Sequence, residues 1–202
     1  MLTSSDFDQL AARGFVVLDH LLPPTLAERL AADCAALHAT DALRPAAVGR
    51  GASQLRDAGL RGDAIRWIEA DPAAPVRGEL LAVLDALRIG INRTLMLGLE
   101  TLEAHYAVYP PGAGYVRHRD RFRDDDARTL SFTAYLNPDW SAADGGALRL
   151  YLPEGELDVL PRLGVCTLFL SADIEHEVLP ARRERMSIAG WFRRRPRQPL
   201  VG

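Results

Sequence analysis

The segment YPPGAGYVRHRD, residues 109–120, holds the features that decide the fold. Its first half, from Pro110 to Gly114, is rich in proline and glycine, which is typical of a turn. Its second half is predicted to be a strand that ends in His118 and Asp120. Because residues i and i+2 of a strand share a face, the imidazole and the carboxylate would lie side by side. The segment therefore predicts a turn followed by a strand that carries two potential metal ligands.

Short strand-like segments separated by turns continue on both sides of this stretch. The sequences NPDWSAADGG (137–146) and LPEGE (152–156) are two of these turns, rich in proline, glycine and aspartate. So many short strands at this spacing predict a β-sandwich or jelly roll. They are expected near residues 101–109, 114–120, 128–137, 146–152, 155–160, 164–171, 174–179 and 185–193.

Helical periodicity dominates the first hundred residues. A short helix capped by Ser4 or Ser5 is predicted to stop at Gly14, and a second to open on the capping-box spacing of Thr25 and Glu28. Because a sheet face needs cover, the helices would pack on one sheet and give an α+β fold. The other predicted elements are a buried strand at 14–19, a loop at 40–64, a strand at 66–69 and a third helix around 80–91.

Composition bounds the class of protein. The chain has 202 residues, enough for one sizeable core rather than two independent domains. A formal net charge of -3 gives no general basic field, so no nucleic-acid partner is expected. With two cysteines, a disulfide framework is not expected. The start lacks the pattern of a signal peptide and no apolar run reaches membrane-spanning length, so we expect a cytoplasmic protein without a membrane partner.

A third potential ligand, His176, lies in a later predicted strand. Two histidines and one carboxylate with the other coordination positions open form the facial triad of iron(II) oxygenases. Taken one at a time, His118 with Asp120 could be a surface polar pair and His176 an ordinary histidine. The combination within one strand-rich region favours a metal site.

Three further residues could bind a cosubstrate near this site. Arg185 begins the strand after His176, and a buried guanidinium can hold a carboxylate with a two-pronged hydrogen bond. Tyr135, on a central predicted strand, could give the same carboxylate a second donor, and Tyr109 ends the strand before His118. For either tyrosine, core packing with a polar tip is an equally good interpretation.

Taken together, the motifs resemble a known family. The segments YPPGAGYVRHRD, TAYLNPDW, GGALRLYLPEG and HEVLPARRERMSIAGWF are similar to the catalytic core of 2-oxoglutarate-dependent prolyl 4-hydroxylases, in particular the oxygen-sensing animal enzymes and their bacterial relatives. The likeness extends upstream to LRGDAIRWIE (60–69) and GFVVLDHLLP (14–23). It covers the chain from about residue 10 to residue 193.

The resemblance implies a double-stranded β-helix, which is a form of jelly roll, with about eight strands and supporting N-terminal helices. Residues 1–202 would form a single oxygenase domain, divided into helical support and a substrate loop (1–100), a jelly-roll core (101–193) and an arginine-rich tail (194–202). The implied iron(II) ligands are His118, Asp120 and His176. The implied ligands of 2-oxoglutarate are Arg185, Tyr135 and the nearby Tyr109.

The same likeness implies a substrate region. Arg61 and Asp63 fall in the family's mobile loop, which closes over a substrate peptide, and Trp191 matches a tryptophan that lines the pocket. The chain departs from the family at Ala189, where a hydroxyl-bearing residue is usual, and at His105, where an apolar residue is usual. These departures leave the metal ligands intact and bear on the substrate.

The function implied is hydroxylation of a proline in a protein substrate, with iron(II), 2-oxoglutarate and, as reductant, ascorbate. Bacterial relatives in this family act on elongation factor Tu, which makes that protein a candidate partner. Two alternatives stay open. The chain could be a 2-oxoglutarate oxygenase that acts on a small molecule, or a non-catalytic jelly-roll sensor module.

Overall fold

The computed structural model describes residues 2–46, 57, 59–121 and 127–195. Three helices lie in the first half of the chain, and most of the strands lie in the second half. The helices are α1 (Ser4–Arg13), α2 (Pro24–Ala39) and α3 (Pro75–Leu95). The strands are β1 (Phe15–Leu18), β2 (Arg44–Pro45), β3 (Ala64–Trp67), β4 (Leu99–Tyr109), β5 (Tyr115–His118), β6 (Arg128–Tyr135), β7 (Leu148–Leu152), β8 (Gly155–Val159), β9 (Cys166–Leu170), β10 (Glu175–Val178) and β11 (Arg185–Arg194).

The strands form two antiparallel sheets. The larger has seven strands in the order β1-β9-β6-β11-β4-β3-β2, and the smaller has four in the order β5-β10-β7-β8. Every strand predicted in the second half is present, as β4 to β11, within a few residues of its expected bounds. The order jumps repeatedly between strands distant in sequence, as a jelly roll requires. The predicted α+β fold with a double-stranded β-helix is therefore confirmed.

The first hundred residues contribute more to the sheet than the sequence predicted. β1 pairs with β9 along its whole length, and β3 pairs with β4, so both extend the large sheet. The predicted loop at 40–64 contains β2, which pairs with β3 through Arg44 and Pro45. A two-residue edge strand has no sequence period of its own, because its partner alone defines it.

Some predictions fall outside the described residues. These are part of the predicted loop at 40–64 (residues 47–56 and 58) and the arginine-rich tail from 196 onward; residues 122–126 also lie outside the described ranges. None of the helices in the described ranges is long and apolar enough to cross a membrane.

The first helix is capped one residue earlier than predicted. The Thr3 hydroxyl accepts a hydrogen bond from the Asp6 backbone N–H, and the Asp6 carboxylate accepts one from the Thr3 N–H. Ser4 and Ser5, the predicted caps, lie in the first turn instead. The helix ends at Gly14, as predicted, where φ is 75° in the left-handed region.

The capping box predicted at Thr25 and Glu28 was wrong. α2 starts at Pro24, one residue before Thr25, and its N-cap Pro23 makes no side-chain cap. Proline is favoured at the first helical position because its φ is already fixed near the helical value. Thr25 therefore lies inside the helix, where its hydroxyl cannot serve as the cap.

Two apolar cores lie on opposite sides of the large sheet. One packs the three helices against it, with Leu30, Leu84 and Leu168 fully buried. The other fills the space between the two sheets around Leu150 and Phe169. Because side chains alternate along each strand, one face of the large sheet serves the helix core and the other faces the smaller sheet. The candidate functional residues lie on this second face and on the smaller sheet opposite it.

Candidate metal centre and its cavity

Strand pairing brings the three predicted metal ligands together. His118 ends β5 and lies directly opposite His176 of β10 in the antiparallel register. Asp120 follows β5 by two residues, and its Oδ1 lies 3.5 Å from His118 Nε2 while its Oδ2 lies 3.6 Å from His176 Nε2. The ligand atoms of all three lie within 4.8 Å of one another. One imidazole from each of two neighbouring strands thus flanks one carboxylate.

Backbone carbonyls orient both imidazoles. His118 Nδ1 lies 2.7 Å from the Val116 carbonyl oxygen, and His176 Nδ1 lies 3.3 Å from that of Ile174. A carbonyl oxygen can only accept, so Nδ1 carries the proton on each ring. Nε2 is therefore the nitrogen of each ring that faces Asp120, and a hydrogen bond from the other ring nitrogen is the usual support of a metal-binding histidine.

Asp120 is held ready as an anion. The Ser131 hydroxyl donates to its Oδ2 at 2.6 Å, and Ser131 Oγ is 2.8 Å from Ser171 Oγ. Burial acts to raise the pKa of Asp120, but the two histidines and the Ser131 hydrogen bond outweigh it and set this pKa well below its usual range. A buried carboxylate that stays ionised calls for a cation beside it.

His176 supplies the neutral form that a ligand needs. Burial lowers its pKa, which the nearby Asp120 partly opposes. Aromatic rings fix both imidazoles from the side: Tyr115 stacks on His118 at 3.7 Å between centroids, and Phe169 meets His176 edge-on at 4.6 Å. Two imidazole nitrogens and one carboxylate oxygen suit iron(II) with positions left open. The residues present therefore fit the implied metal.

Arg185 lies at one end of the same cavity and is 2% exposed. Its Nε donates to the Gly146 carbonyl oxygen at 2.8 Å and its Nη1 to Ser187 Oγ at 3.1 Å. Gly146 has φ of 70°, and a Cβ there would lie 2.9 Å from the Ala181 Cβ, so only glycine suits this turn. The two bonds fix the guanidinium plane and leave Nη2, together with the second N–H of Nη1, to meet a carboxylate.

Both predicted tyrosines lie beside Arg185. The Arg185 guanidinium carbon is 5.2 Å from the Tyr109 ring centroid and 5.4 Å from that of Tyr135. The Tyr135 hydroxyl accepts from Thr133 Oγ1 at 3.2 Å and lies 3.4 Å from Thr167 Oγ1. Tyr109 lines the cavity, whereas Tyr135 is fully buried behind its wall.

Arg61 and Asp63 form a bidentate ion pair in the cavity wall. Arg61 Nε and Nη2 donate to the two Asp63 oxygens at 2.7 and 2.9 Å. The Asp63 side chain has no exposed surface, and the Gly62 N–H donates to the Gly114 carbonyl oxygen at 3.0 Å. The end of the predicted substrate loop is therefore tied to the turn before β5.

The cavity between the sheets encloses about 520 Å³ when the open solvent at its mouth is included. All the predicted site residues except Tyr135 line it. Several contributors were not predicted from the sequence, and the clearest of them are Ser131, Ser187 and Tyr115. Strand alternation offered a signal for two of them, because Ser131 shares a face with Tyr135 and Ser187 shares one with Arg185. Nothing in the sequence indicated that Ser171 would meet Ser131.

Comparison with known proteins agrees with this geometry. Residues 104–193 match the model of the 2OG-Fe(II) oxygenase superfamily. The chain is similar to a prolyl-4-hydroxylase from Pseudomonas putida, with 46% identity and a TM-score of 0.87 over 95% of this chain and 98% of that one. The matched family region contains the candidate metal ligands and Arg185.

Two further relatives are more distant. A prolyl hydroxylase from Trichoplax adhaerens, solved with a peptide fragment of the hypoxia inducible factor oxygen degradation domain, is 28% identical with a TM-score of 0.84, over 93% of this chain and 87% of that one. A PKHD-type hydroxylase from Maricaulis maris is 30% identical over 150 residues, or 73% of this chain. The chain spans 62% of the length of that curated relative.

Proposed function

Since the chain belongs to the 2OG-Fe(II) oxygenase superfamily and to its prolyl-hydroxylase family, we propose that it hydroxylates a proline in a polypeptide substrate. The observation that carries this proposal is the convergence of His118, Asp120, His176 and Arg185 on one cavity. The relatives named above as prolyl hydroxylases support the choice of proline, and the peptide bound to one of them supports a polypeptide.

The metal ligands would be His118, Asp120 and His176. A bound iron(II) would supply the oxidative chemistry by which dioxygen and 2-oxoglutarate give succinate and carbon dioxide while one oxygen atom is inserted into a C–H bond of the substrate. The protein's own work is to hold the three ligands in place before the metal arrives. The carbonyl bonds to the imidazoles and the Ser131 bond to Asp120 do this.

Arg185 would bind the distal carboxylate of 2-oxoglutarate, and Tyr109 and Tyr135 would stand beside it. The guanidinium is already fixed by Gly146 and Ser187, so little side-chain freedom is lost on binding. Burial of both tyrosines raises their pKa, so each phenol keeps its proton and stays a donor. The walls between this end and the metal are largely apolar and keep water from the reacting centre.

The substrate would enter on the side of Arg61, Asp63 and Trp191, which line the same cavity as Arg185. Elongation factor Tu is the first protein to test as substrate, and ascorbate is the reductant to supply in the assay. A small molecule as substrate, or ligand binding without turnover, are the competing outcomes of the same experiment.

The test is intact-mass analysis of candidate proteins incubated with the enzyme, iron(II), 2-oxoglutarate and ascorbate. We expect a gain of one oxygen atom that maps to a proline and that appears together with an equal amount of succinate. The matched control is His176→Ala, which keeps the cavity and lacks one ligand. Succinate release that no polypeptide stimulates, with no mass gain, would contradict a polypeptide substrate, and absence of succinate would contradict turnover itself.

A further inference from the structure

Two nitrogen donors on the cavity wall have no role in the site described so far. They are Nδ1 of His105 on β4 and Nε1 of Trp191 on β11, in side chains that are 1% and 7% exposed. His105 pairs in register with Ala189, and alternation places Trp191 on the same face. The two rings lie 5.4 Å apart between centroids, and both line the cavity. The donors therefore belong to one small part of the wall.

The proton on His105 can be assigned from its neighbours. Arg61 Nη2 lies 3.4 Å from His105 Nε2, and a guanidinium can only donate, so Nε2 accepts and Nδ1 carries the proton. Burial and then the Arg61 charge lower the pKa of His105 to about 3, against the opposing charge of Asp63. His105 is therefore a neutral imidazole that presents one N–H.

Neither donor is satisfied by the protein in the described parts of the chain. His105 Nδ1 and Trp191 Nε1 are both buried without a hydrogen-bond partner there. Trp140 shows the usual arrangement, because its indole N–H donates to the Gly145 carbonyl oxygen at 2.9 Å. A buried donor without an acceptor costs about 1–3 kcal/mol. Two such donors on one cavity wall therefore indicate a binding site in which a ligand provides the missing hydrogen-bond acceptor.

The charges around the two donors define the class of ligand. Arg61 is engaged by both oxygens of Asp63, so its charge is balanced. Arg128 lies over the Trp191 ring at 3.4 Å and donates to Glu103. Because both nearby cations already face carboxylates, the wall offers no spare positive charge to an anion. A neutral acceptor, such as an amide carbonyl oxygen, suits two neutral N–H donors.

This site is distinct from the candidate cosubstrate end. Arg185 and Trp191 are six residues apart on the same strand face, which corresponds to about 20 Å of extended strand. His105 is four residues from Tyr109, the register partner of Arg185. An acceptor at His105 and Trp191 therefore need not compete with a carboxylate at Arg185.

We propose that His105 Nδ1–H and Trp191 Nε1–H together bind a backbone carbonyl oxygen of the substrate and so hold the polypeptide at the substrate end of the cavity. This inference rests on the proposed function, since it assigns two positioning groups for the same substrate. His105 would thereby determine specificity in this chain, because the apolar residue usual at its position has no donor to offer.

The test uses the full chain loaded with Zn(II) and 2-oxoglutarate, which fills the site without turnover. The probe is N-acetyl-L-proline N′-methylamide, a blocked proline with two amide carbonyls. The chain has three tryptophans, so the indole N–H region of a ¹⁵N-labelled sample is simple. We expect the Trp191 signal to move on titration, together with the His105 Nδ1–H signal, while the bonded Trp140 signal stays in place.

Variants measure the same contact independently. His105→Phe and Trp191→Phe keep an aromatic ring and remove one N–H each, and each should weaken probe binding about twofold to tenfold. The matched control is Trp67→Phe, because the partly exposed Trp67 ring packs edge-on against His105 at 5.0 Å and offers no donor in the cavity wall. It should bind the probe as the unaltered chain does.

The inference is overturned if the probe binds without moving either donor signal, if it fails to bind, or if both donor variants bind it normally. The wild-type titration needs no variant, so a variant that fails to fold does not remove the test. If the enzyme hydroxylates a protein but neither the His105 nor the Trp191 N–H signal moves in the titration, this inference is contradicted and the proposed function is not. If both N–H signals move but no protein gains an oxygen atom, the carbonyl-binding site is supported and the proposed function is contradicted.

Discussion

The two faces of the large sheet are built from the same strands but have different roles. Alternate residues of β4, β6, β9 and β11 point to the helices or to the cavity. The helix face is almost entirely apolar, whereas the cavity face carries hydroxyls, imidazole, indole and guanidinium groups. Helix-facing examples are Ala104, Tyr106, Val108, Leu130, Ala134, Leu168, Ile188 and Phe192, and cavity-facing examples are His105, Tyr109, Thr133, Arg185, Ser187, Ala189 and Trp191.

The difference shows how stability and chemistry are separated at the scale of one residue. On the helix face, stability comes from burial of apolar area and from close packing, which many side chains share. On the cavity face each polar group depends on one or two named partners, as Arg185 does on Gly146 and Ser187. Substitutions on the helix face should therefore affect unfolding, and those on the cavity face should affect binding and turnover.

The largest effect is expected at the metal site. His176→Ala should reduce turnover by at least about a thousandfold, or roughly 4 kcal/mol in the barrier, because two remaining ligands cannot hold a labile ferrous ion. Succinate release and iron content should fall together, while the urea midpoint stays near that of the unaltered chain. His118→Ala and Asp120→Ala should behave alike. Full activity in any of the three would refute the ligand assignment.

The helix face should give the opposite result. Leu168 on β9 is fully buried against the helices, next in sequence to Phe169, which lines the cavity. Leu168→Ala should lower the free energy of unfolding by about 3 kcal/mol through lost burial and the cavity left behind. Denaturant unfolding measures this loss, and calorimetry below the transition should show unchanged affinity for 2-oxoglutarate. A strong loss of affinity would show that the two faces are coupled.

Arg185→Lys tests the cosubstrate end. A lysine is a point charge and cannot keep the planar contacts with Gly146 and Ser187 or offer two parallel N–H groups. We expect the dissociation constant for 2-oxoglutarate to rise about tenfold to a hundredfold, equivalent to about 1.5–3 kcal/mol. Tyr135→Phe should produce a smaller change of the same kind. Unchanged dependence on 2-oxoglutarate would show that another group binds its carboxylate.

The smallest effect is expected at a carboxylate of α2 that contacts the helix face of the sheet, and this effect should depend on pH. Asp33 of α2 accepts from Arg77 Nε at 2.8 Å and Nη2 at 2.9 Å, and from the Tyr106 hydroxyl at 2.8 Å. Burial acts to raise the pKa of Asp33, but these hydrogen bonds and the Arg77 charge outweigh it and lower the pKa. Asp33→Asn should cost about 1.5 kcal/mol of stability at neutral pH, without changing the affinity for 2-oxoglutarate.

The sign of the pH dependence follows from the lowered pKa. In the unfolded chain Asp33 has a pKa of about 3.9, so its contribution is complete above that value and is lost as the pH falls through the lower pKa of the folded state. Urea unfolding measured from neutral pH down to about pH 3 should therefore show a steeper loss for the unaltered chain than for Asp33→Asn. Parallel curves would mean that Asp33 contributes nothing through its charge.

Sequence alone determined the strand-rich half closely, because the signals there are local. Turn residues separate the strands, and alternation within a strand fixes which residues share a face. The pair His118 and Asp120 could be recognised in this way, as could Arg185 at the start of its strand. Pairings between distant segments left no such signal, which is why β2 and the β1–β9 pairing were not predicted.

Only the tertiary structure decided which hydrogen bonds support the site residues and which of their donors remain unsatisfied. Ser131 meets Ser171 because β6 and β9 are neighbours in the sheet, although the two serines are far apart in sequence. The unsatisfied N–H of His105 exists because Arg61 occupies the other ring nitrogen, and Trp191 joins it through the register of β11 on β4. Local sequence specifies which side chains share a face, but only long-range strand register specifies which of them meet.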